Sequence, residues 1–323
     1  MKKRVVLSIM TIIMIWTFTA CSAEMIGADA VNKEDVEKWG RLYSFHEDGL
    51  WGFRDACGEV IVEPQYMHIY SFFEGLAFVK GGEGREYLTG FIDSSGELVI
   101  PLPHIFTSGG FSEGFASIRE LDEPWDELAI PSDPRNPHIP ISLGSMGHVI
   151  FIDRTGQDVF GQKFRSASRF SEGLAFVRGM DGSEHMTGFI DTTGKLIIPL
   201  PGIIAGGIFS EGFAAVIERE WDWTTEDPLI TEPPPGPTIF IDRTGQNVFN
   251  QEFETAYGFS EGFAHVRPYK GNAFFIDQTG RNAFGMEFQR ASDFKDGYAE
   301  VILLDGTPAR IDRSGRIVRR GLP

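Results

Sequence analysis

With only two cysteines in 323 residues, this chain has no material for a disulfide framework. Long hydrophobic runs are equally scarce. The one near the start, Val5 to Ala20, is uncharged and largely apolar but too short for a comfortable membrane span. Positive charge is in deficit: 29 Lys and Arg face 46 Asp and Glu, a net charge of −17. Such a surface repels phosphate backbones and anionic headgroups, which argues against nucleic acid as a partner. The seven histidines show no H-x-x-x-H spacing and have no neighbouring cysteine, so no metal site is expected. There is no nucleophile elbow and no phosphate loop, because the glycine-rich stretch Gly81 to Gly84 joins two strands and opens no helix. No cofactor is expected. At 42% apolar residues the chain nevertheless has ample material for a sizeable core.

The short apolar run has a context. Lys2, Lys3 and Arg4 precede it, giving residues 1–20 the layout of an export signal. It ends Phe18-Thr19-Ala20-Cys21, which resembles the lipobox of bacterial lipoproteins, with Cys21 as the lipidation site. Plain secretion and a retained anchor helix are the alternatives. Loss of the signal would leave 26 basic against 46 acidic residues. Membrane contact is then expected through the lipid anchor alone, on the outer face of the membrane or in the envelope. Residues 21–40 read as a linker, and the remaining cysteine, Cys57, as an incidental turn residue.

What the chain has in abundance is one motif. Seven copies of an apolar pair followed by Asp-x-x-Gly end at Gly58, Gly96, Gly156, Gly194, Gly245, Gly280 and Gly315. A second motif, of the form Phe-Ser-Glu-Gly-Leu-Ala-x-Val, opens at Phe72, Phe111, Phe170, Phe209, Phe259 and Phe294. Asp-x-x-Gly is a natural type I turn, since the carboxylate bonds to the amides ahead and glycine accepts positive φ at re-entry. Each copy is a hairpin tip between two arms, and the Glu-Gly step marks another turn leading into a further strand. Leu76 and Phe78 alternate with Ala77 and Val79, so both faces of that strand are apolar and must be covered by neighbours. A lone unit of this size loses about 1 to 2 kcal/mol per residue in backbone entropy and cannot recover it from a few apolar side chains. The units stand or fall together.

The turn aspartates Asp55, Asp93, Asp153, Asp191, Asp242, Asp277 and Asp312 are separated by 38, 60, 38, 51, 35 and 35 residues. The period is therefore near 35, with two insertions. Asp55 to Asp153 and Asp93 to Asp191 are both 98 residues apart, which records duplication of a two-unit block. With Leu42 to Phe45 as an opening strand, the sequence reads as an all-β tandem repeat array of about seven three-stranded antiparallel units over 41–319, in a propeller-like ring or an open arc.

The paired motifs resemble the bacterial WG-repeat (KWG) family from roughly Leu50 to Val318, although only Trp51-Gly52 keeps the dipeptide that names it. The resemblance implies a β-repeat scaffold, often exported, usually without assigned activity. It carries over no catalytic residues, because the family motif consists of packing and turn positions.

The candidates for function lie in the insertions, 119–148 and 218–238. Each is acidic, proline-rich and carries tryptophan: Trp125 beside Asp126 in the first, Trp221 and Trp223 flanking Asp222 in the second. An aromatic set among carboxylates can stack on a sugar face or hold a cation, while the bland reading has each tryptophan pinning its own loop. The glutamates of the Glu-Gly turns read either as solvated turn residues or as a rim of carboxylates. The chain thus reads as a non-catalytic, surface-anchored module that binds or scaffolds a protein, peptide or cell-wall glycan. The rivals are an envelope polysaccharide hydrolase using two insertion carboxylates as acid and base, and a purely structural spacer.

Overall fold

The computed structural model describes residues 42–55, 57–82, 84–120, 132–133, 136–140, 147–180, 183–218 and 236–318. Over that range the chain is a succession of seven small antiparallel units. Unit one is β1 (Tyr43–Glu47), β2 (Leu50–Arg54) and β3 (Val60–Tyr66). Unit two adds a short leading strand: β4 (His68–Ile69), β5 (Leu76–Lys80), β6 (Gly90–Asp93) and β7 (Leu98–Pro101), hydrogen-bonded in that order. Unit three has β8 (Ile105–Ser108) and β9 (Ala116–Glu120), then a two-stranded piece of the first insertion, β10 (Ser132–Asp133) with β11 (Asn136–Pro140), and finally β12 (His148–Ile152). Unit four is β13 (Phe164–Ala167), β14 (Leu174–Gly179), β15 (Gly188–Asp191) and β16 (Leu196–Pro199).

Unit five comprises β17 (Ile203–Gly206), β18 (Ala214–Glu218) and β19 (Thr238–Ile241). Unit six comprises β20 (Thr255–Ala256), β21 (Phe263–Arg267) and β22 (Phe274–Asp277). Unit seven closes the series with β23 (Arg290–Ala291), β24 (Tyr298–Ile302), β25 (Pro308–Asp312) and β26 (Ile317–Val318). The all-β repeat architecture is as the sequence predicts, with β1 as the opening strand. The short leading strand is an addition: it is only two to four residues long in units two to seven, and in units two, six and seven it pairs one polar residue with one apolar residue.

The arm after the hairpin tip comes in two forms. In units two and four it is a true strand, β7 or β16. In units three, five and six it shrinks to a single bridge, Ile152 with Asp158, Ile241 with Asn247 and Ile276 with Asn282. The Asp or Asn at this point caps a tight turn instead: Asp158 Oδ1 accepts the Phe160 and Gly161 amides at 3.1 and 3.0 Å, and Asn282 Oδ1 accepts those of Phe284 and Gly285. Gly161, Asn250 and Gly285 follow with φ of 61°, 50° and 64°, a backbone that glycine and asparagine tolerate. The turn folds Phe160, Phe249 and Phe284 back onto the next unit.

Six core clusters fill the six junctions. Leu76 and Phe78 belong to the cluster between units two and three, while Ala77 and Val79 belong to the one between units one and two. At β14 the same split sends Leu174 and Phe176 towards unit five, and Ala175 and Val177 towards unit three. Strands β5 and β14 are therefore dry on both faces, as their two apolar parities require. The end faces differ. On β24, Tyr298 and Glu300 are exposed, and Arg310 of β25 pairs with Glu300 at 2.7 Å and lies over the Tyr298 ring. Among the described residues no core cluster joins unit one to unit seven.

Candidate functional site

Because successive strands of a unit run antiparallel, the connections fall on two edges. One edge carries the Glu-Gly turns and the Asp-x-x-Gly tips, since Leu76 pairs with Asp93 and Leu174 with Asp191. The opposite edge carries the links from the second to the third strand of the four-stranded pattern, among them both insertions.

On the first edge the polar motif residues bind the protein itself. In each Asp-x-x-Gly tip the aspartate backbone carbonyl accepts the glycine amide, and Asp Oδ1 accepts amides two and four residues ahead. In six tips the hydroxyl two residues on also donates to that oxygen at 2.6 Å, as Thr155 does to Asp153 and Thr244 to Asp242. That hydroxyl, with the amides, holds the carboxyls of Asp153, Asp191, Asp242, Asp277 and Asp312 below the usual carboxylate range. At the first tip Cys57 stands where the hydroxyl would be, and its amide donates to Asp55. Among the described residues, no three of His, Cys, Asp and Glu converge to hold a metal ion.

The Glu-Gly turns are two-residue hairpins of the primed kind, in which both central residues take positive φ: Glu113 and Gly114 at 54° and 86°, Glu172 and Gly173 at 53° and 78°. Asparagine is the usual residue at the first of these positions. Glutamate stands there because of where its carboxylate reaches. Glu74, Glu113, Glu172, Glu211 and Glu261 each accept the amide of the equivalent glycine in the next unit, Gly114, Gly173, Gly212, Gly262 and Gly297, at 2.8 to 3.1 Å. The serine just before grips the same neighbour: Ser112, Ser171, Ser210 and Ser260 donate to the carbonyls of Phe170, Phe209, Phe259 and Phe294 at 2.6 to 2.7 Å. The residue after the tip aspartate completes the clasp, with Arg154 on Glu74, Arg243 on Glu172, Gln278 on Glu211 and Arg313 on Glu261.

These glutamates are thus neither free turn residues nor an open ring of carboxylates, because each is spent on the unit ahead. Sequence reasoning missed the clasp, since its partners lie 34 to 80 residues apart. The usable signal was a long polar residue after the tip aspartate, Arg154, Arg243, Gln278 and Arg313, in four of the five units that follow a Glu-Gly turn. In unit seven Lys295 and Asp296 replace the Ser-Glu pair, and the described residues include no further unit to grip.

On the second edge both insertions join equivalent strands, β9 to β12 and β18 to β19. The first is rooted at a strand pair in which buried His148 places Nε2 3.0 Å from Glu120 Oε2, and the second where the Glu218 amide donates to Pro237. Trp125, Asp126, Trp221, Asp222 and Trp223 lie outside the described residues, as does Cys21. Among the described residues no helix is long and apolar enough to cross a membrane.

Fold and clasp together define a tandem β-repeat protein whose motif residues are structural. The chain belongs to the WG-containing-repeat family, whose model matches residues 51–82, 90–122, 151–182, 188–200, 240–267 and 274–305. No curated protein matches the chain significantly. Among solved structures it is similar to the computationally designed Ika8 protein, at 13% identity over 86% of this chain and 85% of that one, with a TM-score of 0.48. BamB from Moraxella catarrhalis is similar at 13% identity over 85% and 71%, with a TM-score of 0.37. The WD40 β-propeller domain of Doa1 is similar at 13% identity over 67% of each chain, with a TM-score of 0.31.

Proposed function

We propose that this chain is a non-catalytic binding or scaffolding module, exported and held at the cell surface by a lipid on Cys21, which meets a protein, peptide or cell-wall glycan through its two insertions. The observation that carries the reading is the division of labour between the edges. The clasp edge uses its carboxylates and hydroxyls on its own backbone, whereas the acidic, tryptophan-bearing insertions leave units three and five at equivalent points of the opposite edge. Trp125, Trp221 and Trp223, with Asp126 and Asp222, are the residues assigned to the contact.

The test is a tryptophan-fluorescence titration of the whole chain with soluble cell-wall glycan fragments and with envelope proteins, repeated after replacing 121–146 or 219–235 by a short Gly-Ser link. A saturable change that either replacement removes, with the unfolding midpoint preserved, supports the reading. Binding that survives both replacements refutes it.

A further inference from the structure

The repeat frame is nearly constant, but three positions at the leading-strand edge of each junction are not. They are the residue two before the motif phenylalanine, the residue six after it, and the residue just before the motif phenylalanine of the next unit. At the junction of units six and seven they are Tyr257, His265 and Asp293. There the space is filled: the His265 ring stacks on Tyr257 with centroids 4.0 Å apart, and its Nδ1 lies 3.2 Å from Asp293 Oδ1. Between units four and five the strand position is Phe176, packed into the core. Between units three and four the three residues are Gly109, Ser117 and Arg169, and a cleft of about 390 Å³ opens.

We propose that this cleft is a binding site for a small organic carboxylate. Its volume is in the range of small-molecule sites, roughly 300 to 1,000 Å³. Two guanidinium groups line it, Arg119 and Arg169, and no carboxylate does, in a chain where acids outnumber bases 46 to 29. The Arg169 side chain makes no hydrogen bond or ion pair among the described residues, its backbone carbonyl alone accepting from the Ser168 hydroxyl. Arg119 is partly buried, donates only Nη2 to the Arg165 carbonyl at 3.0 Å, and has its pKa pushed down by burial, so an anion would relieve a desolvated cation. Ser117 and Ser166 line the same space, their hydroxyls making no hydrogen bond among the described residues, while Phe73 and Val149 supply apolar wall. Guanidinium groups with spare donors, flanked by hydroxyls and backed by apolar side chains, match a carboxylate carried on a compact ring.

Isothermal titration of the whole chain with benzoate and, separately, glucuronate, each against its uncharged counterpart benzamide or glucose, tests the proposal and separates an aromatic acid from a sugar acid. One acid is expected to bind with one-to-one stoichiometry while its counterpart fails. Arg169→Gln, at an exposed position, should weaken binding about tenfold or more through loss of a charge-assisted contact. Ser117→Phe, which installs the residue that Phe78 and Phe176 occupy in equivalent strands, should fill the cleft and abolish binding at an unchanged unfolding midpoint. If neither acid saturates, if the neutral counterpart binds equally well, or if binding survives Arg169→Gln unchanged, the proposal is overturned.

Discussion

Two kinds of junction hold this array together, and they solve the same packing problem with different pieces. Between units two and three, and again between four and five, a strand delivers an isoleucine to the glycine of the next hairpin tip: Ile100 to Gly156, Ile198 to Gly245. Between units three and four, five and six, and six and seven, a capped turn delivers a phenylalanine to the same socket: Phe160 to Gly194, Phe249 to Gly280, Phe284 to Gly315. Around the isoleucine the cluster is built from three rings, such as Phe176, Phe189 and Phe209, at 5.4 and 4.7 Å. Around the phenylalanine it is built from five, with Phe170 touching Phe115, Phe151 and Phe160 at 5.0, 5.1 and 6.2 Å. A unit can lose its last strand if an aromatic ring takes over the volume that the strand supplied. The socket is the invariant, and what fills it is not.

Core truncations test this most strongly. Phe170→Ala is expected to cost about 3 to 5 kcal/mol, because a fully buried ring is removed from among three others, whereas Ile198→Val should cost only about 0.5 to 1.5 kcal/mol. Urea unfolding measures both, and equal losses would erase the distinction between junctions. The sockets themselves come next. Gly194→Ala and Gly245→Ala share a left-handed penalty of about 1 to 2 kcal/mol, φ being near 80° at each. A Cβ on Gly194 would also lie 2.7 to 3.1 Å from three atoms of a boxed-in Phe160, against one methyl of Ile198 for Gly245. Gly194→Ala should therefore lose more, by about 1 to 2 kcal/mol of overpacking, and the reverse order in the same titration would mean that the ring yields more easily than the methyl.

The clasp gives a smaller effect. Glu172→Asn improves the local turn chemistry but cuts the bond to Gly212, so a net loss of about 1 kcal/mol is expected. Asp48→Asn, at the hairpin of unit one that grips no neighbour, should be neutral or slightly stabilising; stabilisation at both positions would show that the clasp contributes nothing. The smallest effect concerns acid. The tip aspartates have carboxyls held below their usual range, so the stability they contribute is present above the unfolded value, near pH 3.9, and is lost as pH falls through the lower folded value. Being almost wholly exposed, each contributes little. Thr244→Ala should make the urea midpoint slightly less sensitive between pH 5 and 3, and an unchanged profile would remove the hydroxyl from the account.

The two-faced character of Leu76 to Val79 was readable from side-chain parity alone, because a strand apolar at both parities has only one stable setting. The 98-residue recurrence was equally readable, and it reappears in the cores: Leu76, Phe78, Phe91 and Ile100 in one junction match Leu174, Phe176, Phe189 and Ile198 in the other. What escaped was non-local or very short. The leading strands at Thr255–Ala256 and Arg290–Ala291 owe their existence to the strand beside them and not to their own composition. The clasp of Glu172 on Gly212 escaped for a related reason: turn propensity gives no hint that a carboxylate will leave its own hairpin. The cleft beside Ser117 was hidden by its ordinariness, since one small residue in place of phenylalanine is visible only once the strands are aligned.

Every gripping carboxylate in this stack points towards the C-terminal neighbour and never back. Assembly is consequently directional, like a zip whose teeth all face one way: a unit reaches forward with its carboxylate and hydroxyl, and offers its glycine amide and its backbone carbonyl to the unit behind. A copied pair of units arrives carrying its own teeth and presents the same receiving glycine as the pair it displaces, so the chain could lengthen by two without rewriting either flank.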